Sequence, residues 1–159
     1  MHEVLGKKFE SLEQATQHAW RNIHERGTGN KILKFVDREL PNASGKNSDN
    51  LTWMLVPLSM HDSWTSRALS VVAKHLRNER LSEKARGNVR MALMYCASHS
   101  RNGLKNGGRI IRLVGEHYGN AEPELKHELE WSLAKVADHK KHKQKANALA
   151  ERLGIKLLH

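Results

Sequence analysis

Apolar residues spaced three and four apart constrain this chain more than any other feature. Leu125, Leu129, Leu133, Val136 and Ala137 follow that spacing, as do Ala68, Leu69, Val72 and Leu76, and then Val89, Leu93 and Ala97. At 3.6 residues per turn the spacing gathers apolar side chains into stripes, and a chain of stripes buries them by packing helix on helix. Strand signals are weak, because no Asn-Gly pair sits between two alternating runs. The expected fold is all-α: a compact bundle of about six or seven helices, one domain over residues 1–159. That length can bury a core without disulfides or metals.

Helix boundaries follow from the punctuation. Ser11 and Gln14 form a capping-box pattern that opens a helix to about Arg26, with Gly27 and Gly29 ending it. Asn30 is the expected cap of a helix over 31–40, halted by Pro41. Residues 41–50, PNASGKNSDN, contain little except turn formers and read as the clearest loop. The run from Leu51 to Leu58 reads as a short buried helix ended by Pro57. Asp62 or Ser63 opens a helix to about Asn78, and Ser82 opens another to Ser98. Ser98 to Gly108 is polar, basic and glycine-rich and reads as a loop ahead of a helix from Arg109 to His117. Pro123 suits a first helical position. The segment 123–153 is either one long helical arm or two helices broken near Asp138.

Four tryptophans argue for a folded chain. The single cysteine, Cys96, lies in an apolar run and reads as a buried small hydrophobe rather than a reactive thiol. The opening MHEVLGKKFE lacks the apolar core of a signal peptide, and no stretch approaches the ~18 apolar residues of a membrane span. A soluble, cytoplasmic protein without cofactor, metal or membrane partner is expected.

Charge supplies the functional signal. From Arg67 to Arg112 there are eleven basic residues against two acids, a surplus of nine in a chain whose net charge is +10. Such a block attracts polyanions, since phosphates gain both contacts and released counterions. Arg67, Lys74 and Arg77 fall away from one apolar stripe, and Lys84, Arg86 and Arg90 from the next. As neighbouring antiparallel helices, the two would merge these residues into one basic face. Arg101, Lys105 and Arg109 flank Gly107 and Gly108, which would form an anion cradle at a helix N-terminus. The cradle does not match a P-loop. Lys141 and Lys143, in the run HKKHKQK, add a second phosphate contact. The expected function is non-enzymatic binding of DNA or RNA through the phosphate backbone.

Other chemistries have less behind them. His139 and His142 are three apart, as two metal ligands can be, but four lysines share the same seven residues and would repel a cation. His61, Asp62 and Ser63 are sequence neighbours and make no catalytic triad. Arg112 and His117 form an Arg-x4-His element that resembles the one HEPN-class ribonucleases carry on a helical bundle, which implies RNA cleavage. In size, charge and helicity the chain also resembles small helical subunits of CRISPR effector complexes, which implies a place in a nucleoprotein assembly. A protein-interaction module or inhibitor with a basic face on an acidic protein partner is the rival from a different class.

Overall fold

The computed structural model describes residues 1–98 and 100–157. They form eight α-helices and one small hairpin: β1 (His2–Val4), β2 (Lys7–Phe9), α1 (Leu12–Arg21), α2 (Gly29–Glu39), α3 (Gly45–Met60), α4 (Thr65–His75), α5 (Glu83–Ser98), α6 (Ser100–His117), α7 (Pro123–Ala137) and α8 (Lys140–Leu153). Single 3-10 turns stand at Leu40–Asn42 and Tyr118–Asn120. The all-α expectation holds, with one helix more than the upper count and a hairpin that was not expected. The hairpin turns through Leu5 and Gly6, both at positive φ, as a two-residue turn demands. Its strands are three residues each, too short to show alternation.

The helices stack in two rows. Each of α2 to α7 packs against the next helix in sequence, and the pairs α1/α3, α3/α5, α5/α7, α2/α4, α4/α6 and α6/α8 also touch. The odd-numbered helices thus form one layer and the even-numbered helices the other, with the apolar stripes buried between them. This is the neighbour-only contact scheme of a solenoid. The odd helices begin at residues 12, 45, 83 and 123, so the repetition is architectural; no repeating sequence motif marks it. The hairpin packs on α1 and α2 at one end. At the other end Gly154, at φ 71°, turns the chain so that Ile155 is buried and its N–H donates to the Ala150 carbonyl at 2.8 Å.

Several boundaries need correction. The expected loop 41–50 is a 3-10 turn followed by the start of α3, whose turn-forming side chains find partners. Ser48 Oγ donates to Gly45 O at 2.7 Å, Asp49 accepts from the Ser82 hydroxyl, and Asn88 Nδ2 donates to Asp49 O at 3.2 Å. Such residues suit the first turn of a helix as well as a loop. Pro57 does not end α3; it sits inside it, between the buried Val56 and Leu58. Asn30 is not a cap, because α2 begins at Gly29, where an added Cβ would lie 2.2 Å from the Trp64 ring. The first helix stops at Arg21, five residues early. Ser11 does cap it, accepting from Gln14 N–H at 3.2 Å, and Ser82 accepts from Ala85 N–H at 3.0 Å at the head of α5. Residues 123–153 form two helices, broken at Asp138 and His139.

The largest correction concerns Ser98 to Gly108, expected as a loop: Ser98 ends α5, His99 lies outside the described residues, and Ser100 to Gly108 belong to α6, the longest described helix. Its asparagines and glycines serve contacts. Asn102 Nδ2 donates to Ser59 O and Met60 O, both at 3.1 Å, and Asn106 Nδ2 donates to Cys96 O and Thr65 Oγ1, both at 3.0 Å. The two side chains thereby satisfy carbonyls that the last turns of α3 and α5 leave unpaired. Gly103 and Gly107 admit the next even helix: an added Cβ would stand 2.6 Å from His139 Nε2 and 2.3 Å from His142 Cδ2 respectively. Among the described residues no helix is long and apolar enough to cross a membrane.

Candidate nucleic-acid interface

Residue register shows that the even helices run parallel. Asp37 meets Lys74, whose Nζ lies 3.0 Å from both carboxylate oxygens. Arg109 donates to Ser66 O at 2.7 Å and to Ser70 Oγ at 2.8 Å, tying α6 to α4. His142 Nε2 lies 2.7 Å from Leu104 O, tying α8 to α6. These ties hold four helices in one row with their outer sides free.

That outer side is where the charge sits. Exposed Lys31, Lys34 and Arg38 come from α2, Arg67 and Lys74 from α4, and Arg101, Lys105 and Arg112 from α6. The end helix α8 adds exposed Lys140, Lys141, Lys143, Lys145 and Arg152, spread over about 200° of its circumference. Within their bounds the even helices hold fourteen Lys and Arg against four Asp and Glu, whereas the odd helices hold seven against six. The even helices therefore account for a surplus of ten, equal to the net charge of the whole chain. Taken singly, α2, α4, α6 and α8 carry +1, +2, +3 and +4, so the field strengthens along the row.

Local acids temper a few of these cations. Arg101 approaches Asp62 at 3.4 Å, and Lys105 Nζ donates to the Asp62 backbone carbonyl at 2.9 Å. Both remain exposed. Between α2 and α4 a shallow groove of about 260 Å³ is lined by Asn30, Lys34, Asp37, Arg67, Ser70 and Lys74. The Asn30 Oδ1 atom is buried there without a hydrogen-bond partner.

The structure splits the residues singled out from sequence. Arg67, Lys74, Arg101, Lys105 and Lys141 are exposed on the even helices; Lys143 is exposed too, but stands about 160° around α8 from Lys141. Arg109 belongs to its helix but turns sideways to clamp α4. Arg77, Arg86 and Arg90 gather elsewhere, around a small pocket of about 60 Å³ with Glu79, Asn120 and Glu122. There Arg86 lies 3.7 Å from Glu122, and its Nε is buried without a partner. The single face expected from α4 and α5 does not form, because the two helices belong to different layers. Lys84 is exposed at the first turn of α5, apart from the even row. The anion cradle at Gly107 and Gly108 does not exist either. Both glycines lie mid-helix, where backbone N–H groups are used within the helix. Sequence reading missed Lys31, Lys34, Lys140 and Lys145; net charge summed helix by helix would have pointed to them.

The remaining candidates are placed as follows. His142 is buried against Gly107 and His139 packs on Gly103, so both histidines work in the α6/α8 contact. Among the described residues no group of three or more His, Cys, Asp or Glu is placed to hold a metal. Arg112 and His117 stand about 140° apart around α6. Arg112 is exposed on the outer face, whereas His117 is half-buried with Nδ1 unpartnered. Burial, then the nearby Arg77 charge, holds the His117 pKa below its ordinary value. Cys96 is fully buried, and burial pushes its thiol up to about 11, so it is an inert core group. In comparisons with family models, with curated proteins and with solved structures, this chain has no match.

Proposed function

We propose that this protein is a non-enzymatic nucleic-acid-binding protein that holds the phosphate backbone against the outer side of its even-numbered helices. The observation that carries the reading is the sorting of charge by layer. Charge needed only for solubility has no reason to collect on alternate helices of a two-layer stack; charge that meets a polyanion does. The ties between α2, α4, α6 and α8 add a second support, since they fix the cations on a rigid row and lower the entropy lost on docking. A role as a small subunit of a cytoplasmic nucleoprotein complex fits the same face.

Fluorescence anisotropy with labelled DNA and RNA, titrated from 50 to 200 mM salt, tests the reading. Binding that weakens by about a thousandfold over that range corresponds to roughly six neutralised phosphates. The Lys105→Glu/Arg112→Glu variant is expected to lose it. Binding seen only at the lowest salt would end the proposal and turn the face toward an acidic protein partner. Chain cleavage without retention would return the Arg112 and His117 pair to consideration.

A further inference from the structure

The even face lacks what a binder of single strands needs. Sequence-tolerant binding of single strands uses exposed aromatic rings on which bases stack. Trp20, Trp53, Tyr95 and Trp131 all belong to odd helices, and Tyr118 lies in the turn before α7. The one Phe, Tyr or Trp within an even helix, Phe35, is buried. Trp64, just ahead of α4, is stacked by His61 at 4.2 Å between ring centroids and covers Gly29. The charged row therefore offers cations without a stacking platform.

It also offers bare backbone. Arg101, Lys105, Gly108, Arg112 and Gly115 fall within a strip about 80° wide on the outer side of α6. Gly103 and Gly107 are required by the α8 contact, but Gly108 is exposed and an added Cβ there would meet nothing within 4 Å. A glycine inside a helix costs stability, and the fold gains nothing from this one. Close approach of a ligand to the helix backbone is what such a position permits. Cations one turn away on either side then match a phosphodiester crossing at that point.

We infer that the ligand of this face is a nucleic-acid duplex whose backbone crosses α6 over Gly108. The inference rests on the reading above and names its substrate class. The row suits that ligand in length: packed helices lie about 8–10 Å apart, so four span roughly 25–30 Å, close to one turn of duplex at about 34 Å.

The test pairs stability with binding in Gly108→Ala, with Gly87→Ala on α5 as the control. Both substitutions are expected to raise Tm by about 1–4 °C, since each trades glycine for a better helix former without a clash: a Cβ on Gly108 meets nothing within 4 Å, and one on Gly87 meets only Arg90 Nη2 at 3.7 Å. Only Gly108→Ala should weaken duplex binding, on the order of tenfold, the equivalent of about 1.4 kcal/mol. Wild type should prefer duplex over either of its separated strands. Equal affinity for single strands, or a Gly108→Ala variant that binds duplex as wild type does, overturns the inference while leaving the basic face standing. Wild type that binds no nucleic acid at all brings down the function itself.

Discussion

The even-numbered and odd-numbered helices bury their inner sides against one another and differ in what they leave outside. On the even side exposed positions are mostly lysine and arginine, and among the described residues Leu104 is its one large apolar residue in the open. On the odd side Trp53, Met60 and Met91 are exposed, and a groove of about 390 Å³ between α5 and α7 is lined by Met91, Met94, Tyr95 and Trp131 among others. Charges on that side nearly cancel, and Glu124, Glu128 and Glu130 of α7 make its last helix slightly acidic. One core thus supports two surfaces of opposite chemistry. A polyanion gains on one layer and is given little by the other, so charge counted along the sequence understates the contrast. Residues 67–112 are basic throughout, since α5 carries +2 as α4 does; the odd layer stays near neutral because α1 and α3 carry no net charge and α7 carries −1.

Charge reversal on each layer should show the largest difference. Lys105→Glu/Arg112→Glu places two acids on the outer strip of α6 and is expected to lower duplex affinity by about a hundredfold or more at 100 mM salt. Arg86→Glu/Arg90→Glu removes as much charge from α5 and should change affinity by no more than about threefold, with far-UV circular dichroism confirming the fold. Equal losses in the two variants would mean that net charge, rather than its placement, governs binding.

Much of the core was legible in the sequence, and much of the surface was not, for one physical reason. Apolar periodicity is a local signal, so Leu125, Leu129 and Leu133, or Val89 and Leu93, announce their helices and their buried sides. Asparagine and glycine are ambiguous in the same local view. Asn102, Gly103, Asn106 and Gly107 have the composition of a loop, yet they are the contact set of α6. What decides between the two is the partner: the carbonyls of Ser59 and Cys96, and the rings of His139 and His142, lie about 35 to 45 residues away or at the end of a different helix. Which cations share a face depends likewise on which helices are neighbours. Arg86 and Arg67 look alike in sequence and are separated only by the alternation of layers.

Glycine on the two sides of α6 gives a finer contrast, read in stability. Gly103→Ala would push a methyl to 2.6 Å from the Ala97 backbone carbonyl, which has little room to yield. A loss of about 1–3 kcal/mol is expected, as for other overpacked contacts, measured as the shift in the urea midpoint at constant m. Five residues on, Gly108→Ala should gain about 0.5–1 kcal/mol by the same measurement. Opposite signs would establish that α6 is crowded where it meets the end of α5 and His139, and open outside. A Gly103→Ala variant as stable as wild type would mean that the end of α5 and the His139 ring can both draw back from α6 at no cost, so that this contact does not hold α6 rigidly.

The smallest expected effect is on pH dependence, through two histidines of the even layer. His75 of α4 is buried, with Nδ1 3.1 Å from Asn78 Nδ2; burial lowers its pKa, Asp37 opposes that shift and Lys74 adds to it. His117 of α6 is shifted the same way, by burial and then Arg77, with Glu116 opposing. A histidine whose folded pKa lies below its unfolded value of about 6.5 takes up its proton more readily when unfolded, so stability rises with pH through that interval. The stability is complete above about pH 6.5 and declines as the pH falls toward the folded values. Tm should therefore be lower at pH 5.5 than at pH 7.5, and His75→Gln/His117→Gln should flatten the difference. A double variant that keeps the full slope would show that neither histidine carries the acid sensitivity of the even row.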